Sequence, residues 1–275
     1  MNNLGLAFYS LSLCLFFAAA VVFIIDLSSK DKDLFTIARG LMLAGFATLT
    51  LLLIGRGIVY RYVPLYTFHE TLLVLVWAAS FVLLALERAY RFRSIYHFAA
   101  PFLFAVLFFA FFFTPERAEL LPEFRSLWLF GHISTVIVAY GTFAVAFVTS
   151  VMYLFVDNQL KKKKLSSLIT KLPSLDTLDL YIHKLVTIGF FLLTVSILLG
   201  GFWAQNVWGA FWRWEPKEIW SVVTWFIYAA YLHTRLASGW QGRRVAILNS
   251  FGFATVIFNY VIVRFFFTAG MHFFY

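Results

Sequence analysis

Eight stretches of this sequence stay predominantly apolar for about 20 residues, the length an α-helix needs to cross roughly 30 Å of hydrocarbon. They fall near residues 4–25, 36–55, 67–86, 95–113, 128–156, 180–204, 218–235 and 246–267. Nothing else limits the fold as strongly. Lipid offers no hydrogen-bond partners, so only helices or closed barrels satisfy the backbone within it. The composition agrees: 62% of the 275 residues are hydrophobic and 13% charged, where a soluble domain carries charge at nearer a quarter of its positions. The expectation is an all-α, polytopic integral membrane protein, a single transmembrane domain over residues 1–275 with short connections. The first helix lacks a basic n-region and a small-residue cleavage site, so it reads as a retained span.

The net charge of +9 does not point to nucleic acid, because the basic residues are sorted by side. Connections 1–2, 3–4, 5–6 and 7–8, with their flanking turns, hold 15 of the 22 Lys and Arg, including the run Lys161 to Lys164. The positive-inside rule puts those connections in the cytoplasm and both termini outside. The lysine run is a topology signal in a solvated loop, with anionic lipid as a secondary contact. The longest connection, 157–179, holds Pro173 and reads as a segment lying along the inner surface. Cys14 is the single cysteine and there is no C-x-x-C-H. Internal disulfides and covalent haem attachment are therefore excluded, and any haem is held non-covalently.

One external loop, at about 205–218, is unlike the others. The stretch WGAFWRWEPKEIW, residues 208–220, holds four tryptophans, and six of the nine in the chain lie between Trp203 and Trp225. An interfacial aromatic belt spreads tryptophan over many helix ends. Concentration around one loop points instead to a surface covered by ligand, partner or lipid. Pro216 suits the first turn of helix 7. Glu215 then falls at the cap and Glu218 in the first turn, where both complement the positive helix end. The acids of this loop thus have a plain structural role available.

The six histidines sort by depth. His69, His132 and His272 belong at outer helix ends, and His97, His183 and His233 at inner ones. His233 stands roughly 22 Å along helix 7 from Glu218 at 1.5 Å per residue. His132 and His272 flank the Trp-rich loop in sequence, and two imidazoles offered from opposite sides are a usual way to hold haem iron. Headgroup-level histidines are the plain alternative for that pair. His233 equally marks the inner end of helix 7, and His97 and His183, beside basic residues at helix starts, read as interfacial anchors. Glu70 next to His69 has Arg56 or Arg61 within reach in the preceding loop.

The segment WGAFWRWEPKEIWSVVTWFIYAAYLHTR, 208–235, resembles the tryptophan-rich WWD signature of the CcsA family, also named ResC or, in some bacteria, CcsB. LWLFGHISTVIVAYGTF at 127–143, FTAGMHFFY at 267–275 and GRGIVYRYVPLYTFHETL at 55–72 are similar to its outer histidine segment, its C-terminal ending and its helix 3 start. Trp208, Gly209, Trp212, Trp214, Pro216, Lys217, Glu218 and Trp220 occupy signature positions. Glu215 stands where the family usually has Asp, and His69 is not among the family's haem histidines.

The resemblance implies a haem-handling subunit of system II cytochrome c maturation. It implies non-covalent haem b as cargo, held outside by His132 and His272 beside the tryptophans. His233 would serve a second, intramembrane haem whose other ligand comes from a CcsB (ResB)-like partner. Presentation of haem to apocytochrome c would follow, within a holocytochrome c synthase complex served by a thioredoxin-like thiol reductant. The implied location is a bacterial plasma membrane ahead of a thylakoid. A b-type electron-transfer subunit, or a regulatory relative that binds haem without delivering it, are the other readings of the same histidines.

Overall fold

The computed structural model describes residues 3–29, 33–113, 126–163 and 171–262. Each of the eight predicted segments is helical there: α1 Asn3–Ser28, α2 Asp33–Tyr60, α3 Phe68–Tyr90, α4 Tyr96–Ala110, α5 Leu127–Lys161, α6 Leu175–Trp208, α7 Pro216–Ala237 and α8 Arg243–Ile257. A π-helical turn, Phe258–Ile262, continues α8. Among the described residues, six helices are long and apolar enough to cross a membrane, α8 being counted with its π-helical continuation. The two others are α4, short at 15 residues, and α7, which carries polar side chains along a buried face. The connection expected at 157–179 is shorter than its sequence suggested. Helix α5 runs on to Lys161, helped by the Asp157–Lys161 pair at 2.8 Å one turn apart, and α6 already begins at Leu175.

The chain divides into two compact units, one of residues 1–117 and 155–174 and the other of 118–154 and 175–275. In the first, α1 packs along α2 and α4. Phe16, Phe23, Leu49, Leu73 and Leu83 are fully enclosed, and the Ser12 and Thr48 hydroxyls meet at 2.8 Å. Of the two arginines the sequence offers Glu70, Arg56 is the partner, with its Nη2 2.6 Å from Oε1. The same carboxylate accepts from the Tyr62 hydroxyl at 3.0 Å and from the Thr67 backbone at 3.3 Å, closing a capping box at the start of α3. A buried charge pair is best tolerated when its remaining hydrogen-bonding capacity is filled, and the carboxylate of this one is clothed from several directions.

Two histidines of this unit have structural work. His69, buried, donates from Nδ1 to the Ala110 carbonyl at 2.9 Å, while Tyr9 donates to the Leu107 carbonyl at 2.8 Å. Tyr9 thereby takes up a carbonyl that the last turn of α4 leaves over, and His69 adds a donor to the Ala110 carbonyl, which also accepts from the Phe113 N–H at 3.2 Å. His97 is not an interfacial anchor. It is buried, with Nε2 2.7 Å from Asp26 Oδ2 and Nδ1 3.0 Å from the Ser94 carbonyl. Lys171 reaches the Asp26 and Ser29 carbonyls at 2.5 and 2.7 Å and caps α1 by a basic side chain.

The second unit is built around α7. Phe143 of α5 stacks on Tyr228 at 3.8 Å and 8°, and the absence of a side chain at Gly189 gives that phenyl ring its room. Asn249 donates to Ser150 at 2.8 Å. At the C-terminal end of α7 Arg235 grips Asp179 through both terminal nitrogens, at 2.9 and 2.6 Å, and the Gly242 N–H adds a third donor at 2.7 Å.

Replacing Glu70 with Ala strands a buried guanidinium and is expected to cost about 3–5 kcal/mol, read as a lowered unfolding midpoint in lipid nanodiscs. The double variant with Arg56→Leu recovers part of that loss, because no charge is then left behind.

Candidate functional site

The Trp-rich segment begins where α6 ends. Gly209 follows the last helical residue with φ +72° and donates its N–H back to the Gln205 carbonyl at 3.1 Å, a left-handed helix stop that glycine adopts without steric cost. Trp214 also has a left-handed backbone, φ +60°. Without a glycine there, such a conformation costs on the order of 1–2 kcal/mol, and the indole it displays is 75% exposed. Glu215 is the cap residue of α7, with extended backbone, and Pro216 is its first helical residue, as the sequence predicts. Glu218 turns back over this start: its Oε2 accepts from the Arg213 N–H at 2.9 Å and the Glu215 N–H at 3.3 Å. The acid that begins the helix therefore also shapes the loop before it.

The aromatic side chains brace one another edge to face. Trp203 meets Trp208 at 4.8 Å and 68°, Trp212 meets Trp214 at 6.0 Å and 84°, and Arg213 lies 5.4 Å over the Trp208 ring. Trp220 packs on Phe258 at 4.2 Å. Such pairs add about 0.5–1.5 kcal/mol each beyond buried area, so the loop is a braced frame.

Under this frame the second unit holds a partly open cleft whose walls include His132, Gly200, Phe211, Trp212, Lys217 and Glu218. His132, in the second turn of α5, is tied to α6: its Nδ1 stands 2.7 Å from the Ser196 carbonyl and 3.1 Å from the Ser196 hydroxyl. A carbonyl only accepts, so Nδ1 carries the proton and Nε2 keeps the lone pair. That is the arrangement of a histidine prepared to ligate a metal through Nε2. Two adjacent glycines make the fit possible. A Cβ on Gly200 would lie 2.8 Å from His132 Nδ1, and one on Gly201 would lie 2.2 Å from the Phe211 ring.

The Trp212 indole nitrogen is buried without a hydrogen-bond partner among the described residues. With Lys217 beside it on the cleft wall, one apolar enclosure offers an imidazole, an indole donor and an ammonium. A flat aromatic group carrying a metal and carboxylates fits that donor set. Of the residues predicted from sequence, His132 and Trp212 line the cleft. Trp208, Gly209, Trp214, Glu215, Pro216 and Trp220 build the frame around it. His233 is elsewhere, exposed near the far end of α7. His272 lies outside the described residues. Sequence reasoning missed Ser196, Phe211 and the glycine pair. Only the Gly-Gly doublet inside an apolar run carried a signal, since glycine there costs helix stability unless something approaches closely.

A family model described as "Cytochrome C assembly protein" matches residues 65–272. Several relatives are named cytochrome c biogenesis protein CcsA. One from Guillardia theta is 32% identical over 86% of this chain and 85% of its own length. One from Prochlorococcus marinus is 33% identical over 89% and 83%, and one from a Synechococcus strain is 32% identical over 94% and 93%. Among solved structures, a protein titled "Cytochrome c Heme Lyase CcmF" matches with a TM-score of 0.71 at 15% identity, over 94% of this chain and 46% of that one. The likeness to that longer protein is one of fold.

Gly200→Ala is expected to push the imidazole off the Ser196 carbonyl, and Ser196→Ala, which keeps that carbonyl, to leave it in place. Nitrogen NMR of the His132 ring reads the outcome directly: a protonated Nδ1 in wild type and Ser196→Ala, and a mixed tautomer population in Gly200→Ala.

Proposed function

Because this chain belongs to the cytochrome c assembly family and is a multi-pass membrane protein of the CcsA type acting in cytochrome c maturation, we propose that it carries haem b to the outer membrane face. There it presents the haem for covalent attachment to apocytochrome c. The observation that carries this reading is the His132 cleft: an imidazole fixed by Ser196 as the Nδ1–H tautomer, in an enclosure roofed by Trp212 and Phe211. In this reading Nε2 of His132 ligates the iron and His272 supplies the opposite ligand. The Trp208, Trp212, Trp214 and Trp220 framework, held by Gly209, Glu215 and Pro216, shields the ring and leaves one edge accessible.

What the site contributes is orientation. Each thioether forms by addition of a cysteine S–H across a haem vinyl group: a C–S bond is made, the proton ends on the adjacent carbon, and no electrons are gained or lost overall. The rate of such a step rests on holding thiol and vinyl close and aligned. The donors Trp212 Nε1 and Lys217 suit the haem carboxylates, which fixes the ring's rotation in its plane. A thioredoxin-like protein keeps the substrate thiols reduced.

His233 serves a second haem within the membrane. It is exposed on α7, away from the buried polar face of that helix, which supports a site completed by a ligand from a CcsB (ResB)-like subunit. The termini and the Trp-rich loop lie outside, following the charge distribution. The membrane is a bacterial plasma membrane; with relatives in Prochlorococcus and Synechococcus, the thylakoid is the alternative to test by fractionation.

His132→Gly is expected to lose the external haem and to lower c-type cytochrome yield at least tenfold, with partial recovery in added imidazole. His233→Gly should remove a separate haem signal that appears only when the partner subunit is co-purified. Absorption spectra of the complex read both. Unchanged haem content and maturation in His132→Gly overturn the assignment. A haem that stays bound and is never passed to apocytochrome c marks an electron carrier instead.

A further inference from the structure

Helix α7 carries Glu218, Ser221, Thr224, Tyr228, Tyr231 and Arg235 at spacings of three and four residues, which puts all six on one face. The face is turned into the second unit. Thr224, Tyr228 and Tyr231 have no exposure at all, and Glu218 little. Ser221 belongs to the wall of the His132 cleft, and Arg235 is the arginine clamped on Asp179 at the other end. Fourteen residues separate the two, roughly 21 Å of helix at 1.5 Å per residue.

Polar groups of neighbouring helices meet this face. Asn259 donates to the Ser221 hydroxyl at 3.0 Å and stands 3.5 Å from the Tyr140 hydroxyl. It does so from the π-helical turn at Phe258–Ile262, a local irregularity often found where a helix aims a side chain for function. Beyond Ser221, the buried Tyr228 and Tyr231 and then Arg235 continue the same face of α7. Ser221, Asn259, Tyr140, Tyr228, Tyr231 and Arg235 thus follow one another from the cleft to the opposite end.

The chain is not closed by protein atoms alone. The Tyr228 and Tyr231 hydroxyls and Asn259 Oδ1 have no hydrogen-bond partner among the described residues. A buried hydroxyl left so costs about 1–3 kcal/mol, and phenylalanine would fill the same space without that cost. Internal water is the common answer to several such groups gathered together, and lines of ionisable and hydroxyl groups within a span mark proton relays.

We propose that waters bound between these groups complete a hydrogen-bonded file from Ser221 to Arg235, and that the file carries protons between the cleft and the far end of α7. Each hydroxyl or water takes a proton on one side and releases one on the other, so the relay consumes nothing. A change of charge in the cleft is then balanced along the helix and not through lipid. This inference stands on the second unit's own polar groups and does not depend on what the cleft holds.

Two measurements on the full-length protein test it. In lipid nanodiscs, X-ray hydroxyl-radical labelling on the millisecond scale should modify Tyr228 and Tyr231 several-fold faster than Phe16 and Phe23, which are equally enclosed. Labelling no faster than those two removes the water file. In vesicles with a trapped pH dye and a clamped potential, an imposed pH step should relax faster with protein than without it. Tyr228→Phe and Asn259→Leu should each slow that relaxation at least threefold, while Tyr9→Phe, in the other unit, leaves it unchanged. Relaxation no faster than in protein-free vesicles, or unaffected by both variants, overturns the relay even where water is found.

Discussion

A polar group inside hydrocarbon has no water to fall back on, and most of this structure is a set of answers to that one constraint. Backbone groups answer it by helix formation. Helix ends and charged side chains answer it by reaching for each other. Glu70 gathers Arg56, Tyr62 and the α3 cap. Asp179 gathers Arg235 and Gly242. His69 and Tyr9 donate to carbonyls of α4. Each cluster ties helices that apolar packing alone would leave free to rotate, since side chains as apolar as the lipid gain little from meeting one another there. Register between the helices is therefore set largely by the polar exceptions.

The same reasoning separates what the sequence reveals from what it hides. Helix existence was legible because a run of about 20 apolar residues has one reading in a membrane. The start of α7 was legible too, since Glu215, Pro216 and Glu218 act within one turn and obey local capping rules. Arg56 was one of two partners named for Glu70, and they are 14 residues apart. The histidines mark the limit. His69 meets a carbonyl 41 residues away, His97 a carboxylate 71 away and His132 a carbonyl 64 away. No local pattern encodes such a meeting. Position near a helix start suggested an interfacial anchor for His97, and only the tertiary structure shows it, like His69, to be buried.

The Trp-rich segment shows how a loop can be both aromatic and ordered. Glu218 ties the loop backbone to α7, Gly209 ends α6 sharply, and the indoles brace in pairs. What remains strained is Trp214, left-handed and largely exposed. Unfavourable backbone combined with unfavourable apolar exposure persists only when the surroundings hold it in place. Here the fixed start of α7 on one side and Trp212 on the other do so.

The polar face of α7 bears on how the protein is made. A segment with Glu, Ser, Thr, two Tyr and Arg turned one way is a weak candidate for lateral release into lipid by itself, as polar groups without partners are costly in hydrocarbon. Its partners sit on both sides in the chain: Asp179 on α6, already synthesised, and Asn259, at the end of α8, still to come. During biosynthesis α7 thus has half of its complement when it emerges. Its set of polar partners is complete only once α8 has followed, which couples the insertion of α7 to that of α8.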